Sequence, residues 1–199
     1  MPMKSDPRRI EFPPTCQPTT VALYQYWLER CGERRMPLRR DIDPTEMPRG
    51  VLPGITLVEV VPDRRYVYRL VGTGEVEVRG NDPTGKSVWE GFFAPSAEDA
   101  IACYDRVVAT RPPLLDPMLF TAPSGKYVME ETLFLPLSED GTNVNKILVY
   151  SYSRERGSGR EFGGPRLVCA DSQGADSAVS CVPSSTPWSV LGGAKQEAS

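Results

Sequence analysis

Histidine does not occur among the 199 residues. Its absence removes Ser-His and Cys-His nucleophile pairs, histidine-ligated zinc or haem, and a histidine phosphoacceptor. The five cysteines, Cys16, Cys31, Cys103, Cys169 and Cys181, are odd in number and include no C-x-x-C pair. Neither a zinc cluster nor a disulfide framework is therefore expected, and the thiols are read as reduced. Long apolar runs are missing as well. The richest stretch, 51–61, is interrupted by Pro53, Gly54 and Glu59, well short of the ~20 residues that a membrane helix needs. Charge of one sign is not concentrated: 23 Lys and Arg stand against 26 Asp and Glu, with the arginines scattered among acids, so no basic stripe for nucleic acid is predicted. Residues 1–14 carry Lys4, Arg8 and Arg9 with no apolar segment behind them. No export signal is expected, and the cytoplasm is the predicted location.

What is present suits one globular domain with irregular ends: 40% of residues are apolar and 25% charged. Residues 1–17, rich in proline and charge, are predicted to be a flexible arm, 18–153 the domain, and 154–199, dominated by glycine, serine and other small residues, a disordered tail. Thr19 or Thr20 is placed to cap a first helix in which Val21, Leu23, Tyr24, Trp27 and Leu28 recur at helical spacing, with Gly32 just past its end. A polar connector, 34–50, follows, in which Asp43 before Pro44 predicts a short helical turn. Segments 55–61 and 66–72, joined by Pro62-Asp-Arg-Arg65, predict an antiparallel hairpin, with Tyr66, Tyr68 and Leu70 on one face. Short helical pieces punctuated by Gly80, Pro83 and Gly85 lead to 87–93, which holds Trp89, Phe92 and Phe93. Ser96 with Asp99 resembles a capping box for a helix whose inner stripe is Ala100, Ile101, Tyr104, Val107 and Val108, ending at Arg111-Pro-Pro113. Three further strands are predicted at 114–121, 127–137 and 145–152, with turns at Pro123-Ser-Gly125 and Ser138-Glu-Asp-Gly141.

Seven segments stand in order along this frame: Leu23-Tyr-Gln-Tyr-Trp-Leu-Glu-Arg30, Arg34-Arg-Met-Pro37, Asp41-Ile-Asp-Pro44, Leu52-Pro53, Tyr68-Arg-Leu-Val-Gly-Thr73, Gly80-Asn-Asp-Pro-Thr-Gly85 and Leu135-Pro-Leu-Ser-Glu-Asp-Gly141. Together they resemble the PAS domain family, and within it the short single-domain PAS proteins of alphaproteobacteria, over roughly residues 21 to 152. The resemblance implies an α+β fold: a five-stranded antiparallel sheet with helices over one face and an N-terminal amphipathic helix. It further implies a non-catalytic sensory or signalling adaptor that works by binding another protein or a second copy of itself, modulated by a small ligand. The alternative is a small-molecule sensor or carrier with an apolar internal cavity. No catalytic residue, metal site or cofactor is assigned, and an enzyme is not expected.

Candidate sites follow from the same frame. If the space between sheet and helices is hollow, Tyr68, Leu70, Trp89, Phe92, Tyr104 and Phe134 line it and a small apolar ligand fills it; a packed core is the equal alternative. Tyr26, Trp27, Arg34, Arg39, Asp41 and Asp43 are the candidate interaction surface, which requires an exposed apolar patch beside Tyr26 or Trp27. The arginines and acids of 34–46 either grip an anion through guanidinium forks or pair with one another to fix the connector, the second being the simpler account. Gly72-Thr-Gly-Glu75 offers backbone amides to an anion but is explained by a strand-to-helix turn alone. Glu130 and Glu131, adjacent on a strand, must point to opposite faces and cannot form a dyad. Either one of them is buried and needs a partner such as Arg69, or both are wet. Cys103 does not sit in the asparagine-cysteine-arginine setting of flavin-trapping relatives and is read as a packed thiol.

Overall fold

The computed structural model of the chain describes residues 6–92, 97–121 and 127–156. The first helix, α1 (Pro18–Cys31), carries Thr20, Leu23, Tyr24, Trp27 and Cys31 on one buried stripe at three- and four-residue spacing. Its start differs from expectation. Gln17 is the N-cap and makes no side-chain cap bond, with Pro18 at the first helical position. The cap is supplied from elsewhere in the fold, as described below.

Strands β1 (Ile55–Val61) and β2 (Arg65–Val71) form the hairpin. Helices α2 (Thr73–Arg79), α3 (Val88–Gly91) and α4 (Ala97–Thr110) follow, then β3 (Leu114–Thr121), β4 (Tyr127–Leu137) and β5 (Lys146–Arg156). All pairings are antiparallel, in the spatial order β2-β1-β5-β4-β3. Paired residues share a face, so the register sorts the side chains. Leu57, Leu148, Tyr150, Leu133 and Leu135 lie on an outer face, where the Trp27 indole donates to the Pro136 carbonyl at 3.0 Å and the Tyr150 hydroxyl meets Thr19 at 3.1 Å. Val58, Ile147, Val149, Phe134, Thr132 and Glu130 lie on the inner face with Tyr66 and Tyr68. There the Tyr104 ring of α4 stacks on Tyr66 at 4.9 Å and meets Phe134 edge-on at 5.2 Å. Helices therefore cover both faces, α1 the outer and α4 the inner.

The β2 edge is not left open. Tyr68 N–H donates to the Lys86 carbonyl at 3.0 Å, Gly85 N–H donates to the Tyr68 carbonyl at 2.8 Å, and Ser87 bridges Val67. Ser87 also caps α3 reciprocally with Glu90.

Three expectations change. The register slips between Leu57 and Val58, so that Val58 faces Tyr68 while Leu57 faces Leu70. This bulge at Arg69 turns Leu70 to the face opposite Tyr68, where it is 49% exposed. Residues 6–17 do not form a free arm: Ile10, Phe12 and Cys16 pack on the core, the Phe12 ring meets Tyr24 edge-on at 5.1 Å, and the Arg8 guanidinium donates to the Gly32 and Arg34 carbonyls. Residues 154–156, assigned to the tail, continue β5 against β4. The Ser96 cap, Phe93, the Pro123-Ser-Gly125 turn, residues 1–5 and the tail beyond Arg156 lie outside the described residues. Among the described residues no helix is long and apolar enough to cross a membrane.

Candidate functional site

The most concentrated chemistry lies on the inner face, where α2 presents two charges one turn apart. Glu75 and Arg79 stand at i and i+4 and pair at 3.2 Å, with only 9% and 7% of their side chains exposed. Helix α2 can come this close because Gly72, at its N-cap, sits against the Pro53 and Leu52 carbonyls, where a Cβ would collide. This contact, rather than an anion on its amides, explains the Gly72-Thr-Gly74 sequence. The Arg79 guanidinium lies over the Tyr68 ring, 5.3 Å from its centroid, and reaches the Gly91 carbonyl at 3.4 Å. Gly91 is itself a close approach: a Cβ there would stand 3.0 Å from Tyr68 Cε2 and 2.7 Å from the Pro83 side chain.

Glu130 projects from β4 into the same region. Burial pushes its carboxyl from the usual 4.5 up to about 7; Glu75 adds to the rise as a like charge, and Arg79 opposes it. Glu75 is also raised by burial, against the pull of Arg79. Further along the inner face Asp116 of β3, paired in register with Thr132, accepts the Cys103 thiol of α4 at 3.6 Å, and burial raises its carboxyl as well. The Tyr66 hydroxyl is satisfied by Asp105 at 2.5 Å. The Tyr68 hydroxyl is not: its residue is 1% exposed, and the oxygen has no hydrogen-bond partner. Leaving such a group unpaired costs about 1–3 kcal/mol, which makes it a position on this face with an unmet demand.

The neighbouring Glu131 points to the outer face and is buried, at 5% exposure. Its carboxylate accepts from the Gln17 backbone N–H at 3.0 Å, the Thr20 hydroxyl at 3.1 Å and the Cys16 thiol at 3.0 Å. An acid from β4 thus caps α1 across 111 residues of chain, which is why α1 needs no cap of its own. Burial, with Glu131 adding, drives the Cys16 thiol up to about 12, so it serves as a donor and not as a nucleophile.

Of the residues expected to line an internal cavity, Tyr68, Tyr104 and Phe134 are buried on the inner face, and Phe92 is partly buried against the core. Leu70 is excluded by the bulge, and Trp89, 58% exposed on the four-residue α3, faces away from it. Tyr26 and Trp27 do not form a surface patch: they are 6% and 0% exposed, because Trp27 seats α1 on the sheet and the Tyr26 hydroxyl is tied to the Asp43 backbone. In the connector, Arg34 pairs with Asp41 at 2.6 Å and Arg30 with Glu46 at 2.6 Å, Arg39 reaches the Ile42 carbonyl, and Asp43 caps Thr45. These groups tether the connector to itself and to α1. An open cleft of about 300 Å³ beside it, lined by Asp6, Arg8, Glu33, Arg34 and Arg35, holds both signs of charge. Arg69 pairs with Glu59, not with Glu130.

Sequence reasoning singles out Glu130 and Glu131 as facing opposite ways but misses Glu75 and Arg79. The signal available for them is the i,i+4 spacing of an acid and a base just after the glycine turn at 72–74.

Comparison with known proteins bears on the whole arrangement. A family model described as a PAS domain matches residues 15–150. No curated protein matches the chain. Solved structures with a related chain trace include a fungal LOV domain photoreceptor, 16% identical over 65% of this chain and 90% of that one, with a TM-score of 0.41. The LOV domain of a blue-light activated histidine kinase from Erythrobacter litoralis is 9% identical over 51% and 95%, with a TM-score of 0.39. The PAS domain of an HTR-like protein from Haloarcula marismortui is 17% identical over 50% and 79%, with a TM-score of 0.34.

Proposed function

This chain belongs to the PAS domain family, and from that premise we propose that it is a sensory domain that recognises a small ligand at the inner cluster of Glu75, Arg79, Glu130 and Tyr68. The observation that carries the reading is the Tyr68 hydroxyl, buried beside a buried ion pair and lacking a partner. A polar ligand atom would satisfy it. This departs from the apolar ligand expected from sequence, because the inner face holds four ionisable side chains among its aromatic rings.

The reading is non-catalytic: the two thiols nearest the clusters, Cys16 and Cys103, each donate to a carboxylate, and the acids are buried against partners and not set around a nucleophile. The domain would act in the cytoplasm and pass its signal to a protein partner or to a second copy of itself. Val78 and Trp89, each 58% exposed, support a contact near the cluster, since Val78 adjoins Arg79 and Trp89 lies two residues from Gly91. Kinship with the short alphaproteobacterial PAS proteins, suggested by the seven ordered segments, is part of the same proposal.

Native mass spectrometry of the chain purified without denaturation tests it. The expected result is a stoichiometric small compound that leaves on unfolding. Protein mass alone, from cells in which the domain is functional, would refute the reading.

A further inference from the structure

Not every arginine near the connector is spent on an acid. The Arg8 guanidinium is committed: it pairs with Asp6 at 2.7 Å and donates to the Gly32 and Arg34 carbonyls. Arg34 is committed to Asp41 and to the Arg30 and Cys31 carbonyls. Beside these bonds lie two clefts that share Pro7, Arg8 and Arg35. The wider, of about 300 Å³, adds Asp6, Glu33 and Arg34. The narrower is a slot of about 20 Å³ completed by Thr110, Arg111 and Pro112 at the end of α4, with room for about one oxygen-sized atom. Its lining includes Arg8, Arg35 and Arg111 and no acid. Among the described residues neither the Arg35 nor the Arg111 side chain has a hydrogen-bond or ion-pair partner. Once Arg8 is paired with Asp6 and Arg34 with Asp41, these two cations face one free carboxylate, Glu33, which lines the wider cleft and not the slot. Arg9 attracts Asp6 from outside the clefts and adds to the positive excess. Arg111 also holds its place against backbone preference. Its φ is 70°, and its N–H closes on the Val107 carbonyl at 2.8 Å, at a helix end where glycine is the usual residue.

We propose that slot and cleft together bind a small organic phosphate: the phosphoryl group lodges an oxygen in the slot between the Arg35 and Arg111 guanidinium groups, and the organic body occupies the wider cleft. Guanidinium forks match a phosphoryl dianion in both shape and charge, whereas a carboxylate would leave one of the two cations unanswered. The slot is too narrow for an organic body, so only the anionic end enters it. The wider cleft is at the lower end of the range for ligand sites, and its charged lining suits a hydroxylated body better than an apolar one. Arg35 is exposed, so binding is sensitive to salt. This site shares no residue with the inner cluster and stands whether or not that cluster holds a ligand.

Isothermal titration calorimetry of the full chain tests it, with ribose 5-phosphate as the probe and ribose, inorganic phosphate and acetyl-glycyl-phosphoseryl-glycinamide as comparisons. Ribose 5-phosphate is expected to bind at a single site, inorganic phosphate more weakly and ribose not at all. Binding should weaken as sodium chloride rises from about 20 to about 200 mM. Arg35→Gln and Arg111→Gly should each weaken binding roughly tenfold, the loss of one charge-assisted fork. Arg111→Gly should melt no lower than the parent, because glycine adopts the positive φ freely, so its loss of binding is not a loss of fold. Arg40→Gln removes an exposed connector arginine outside both clefts and should leave binding unchanged. No binding of ribose 5-phosphate, or equal losses in Arg40→Gln and Arg35→Gln, overturns the inference, the second result meaning a diffuse positive surface. Inorganic phosphate binding as tightly as the sugar phosphate, or tighter binding of the phosphoserine peptide, overturns the assignment to a small organic phosphate.

Discussion

Replacing Glu131 by alanine should undock α1. The carboxylate caps the helix start at Gln17 and satisfies Thr20, whose side chain is fully buried, and Cys16. Losing a helix cap costs about 1 kcal/mol, and stranding a buried hydroxyl costs about 1–3 kcal/mol more. A total near 3 kcal/mol is a large share of the roughly 5–15 kcal/mol that stabilises an ordinary domain. At about 2–4 °C per kcal/mol for a chain of this length, the melting temperature should fall by about 6–12 °C. Urea denaturation gives the global loss, and hydrogen exchange followed by mass spectrometry locates it, with faster exchange expected in 17–31 before the rest of the sheet. Glu131→Gln, which keeps shape and one acceptor oxygen, should lose roughly half as much. A loss below about 1 kcal/mol with α1 protection unchanged would show that Trp27 and Leu23 hold the helix without the acid, and the capping argument would be wrong.

Glu130 should make the domain less stable as pH rises. Its folded value lies above its unfolded one, so its favourable contribution is complete below about pH 4.5 and is lost as pH climbs through about 7. Between pH 5 and pH 8 the wild type should lose about 2.5 kcal/mol relative to Glu130→Gln, read from paired urea curves at each pH; parallel pH profiles would contradict the burial of that side chain. Gly91→Ala should cost about 1–3 kcal/mol through overpacking, because the added methyl meets Tyr68 and Pro83. A variant as stable as the parent, measured by thermal melting, would mean that α3 shifts freely.

The element order and sheet were legible because their signals are local: alternation in 55–61, helical spacing in 18–31 and 97–110, and proline or glycine at the breaks. The candidate site was legible only in part. Tyr68, Tyr104 and Phe134 follow from alternation and spacing, but the inward position of Leu70 assumed an unbroken period of two, and the bulge at Arg69 breaks it without a glycine to announce it. Trp27 stands both on the helical apolar stripe and among the candidate interaction residues, and spacing alone does not decide between a docked and an exposed face; its indole closes a bond to Pro136, a contact 109 residues away in sequence. The Glu75–Arg79 pair and the Glu131 cap likewise depend on which strand passes over which helix, and no window along the chain contains that information.

The way α1 is seated decides what the outer strands can offer. A protein seeking to lie on Leu133, Leu135 and Leu148 meets a resident competitor from the same chain, present at a local concentration that no dilution reduces. Such a partner would first have to evict Trp27 and break the clasp at Gln17 and Thr20, so access to that side is governed by how firmly one acidic side chain keeps its grip.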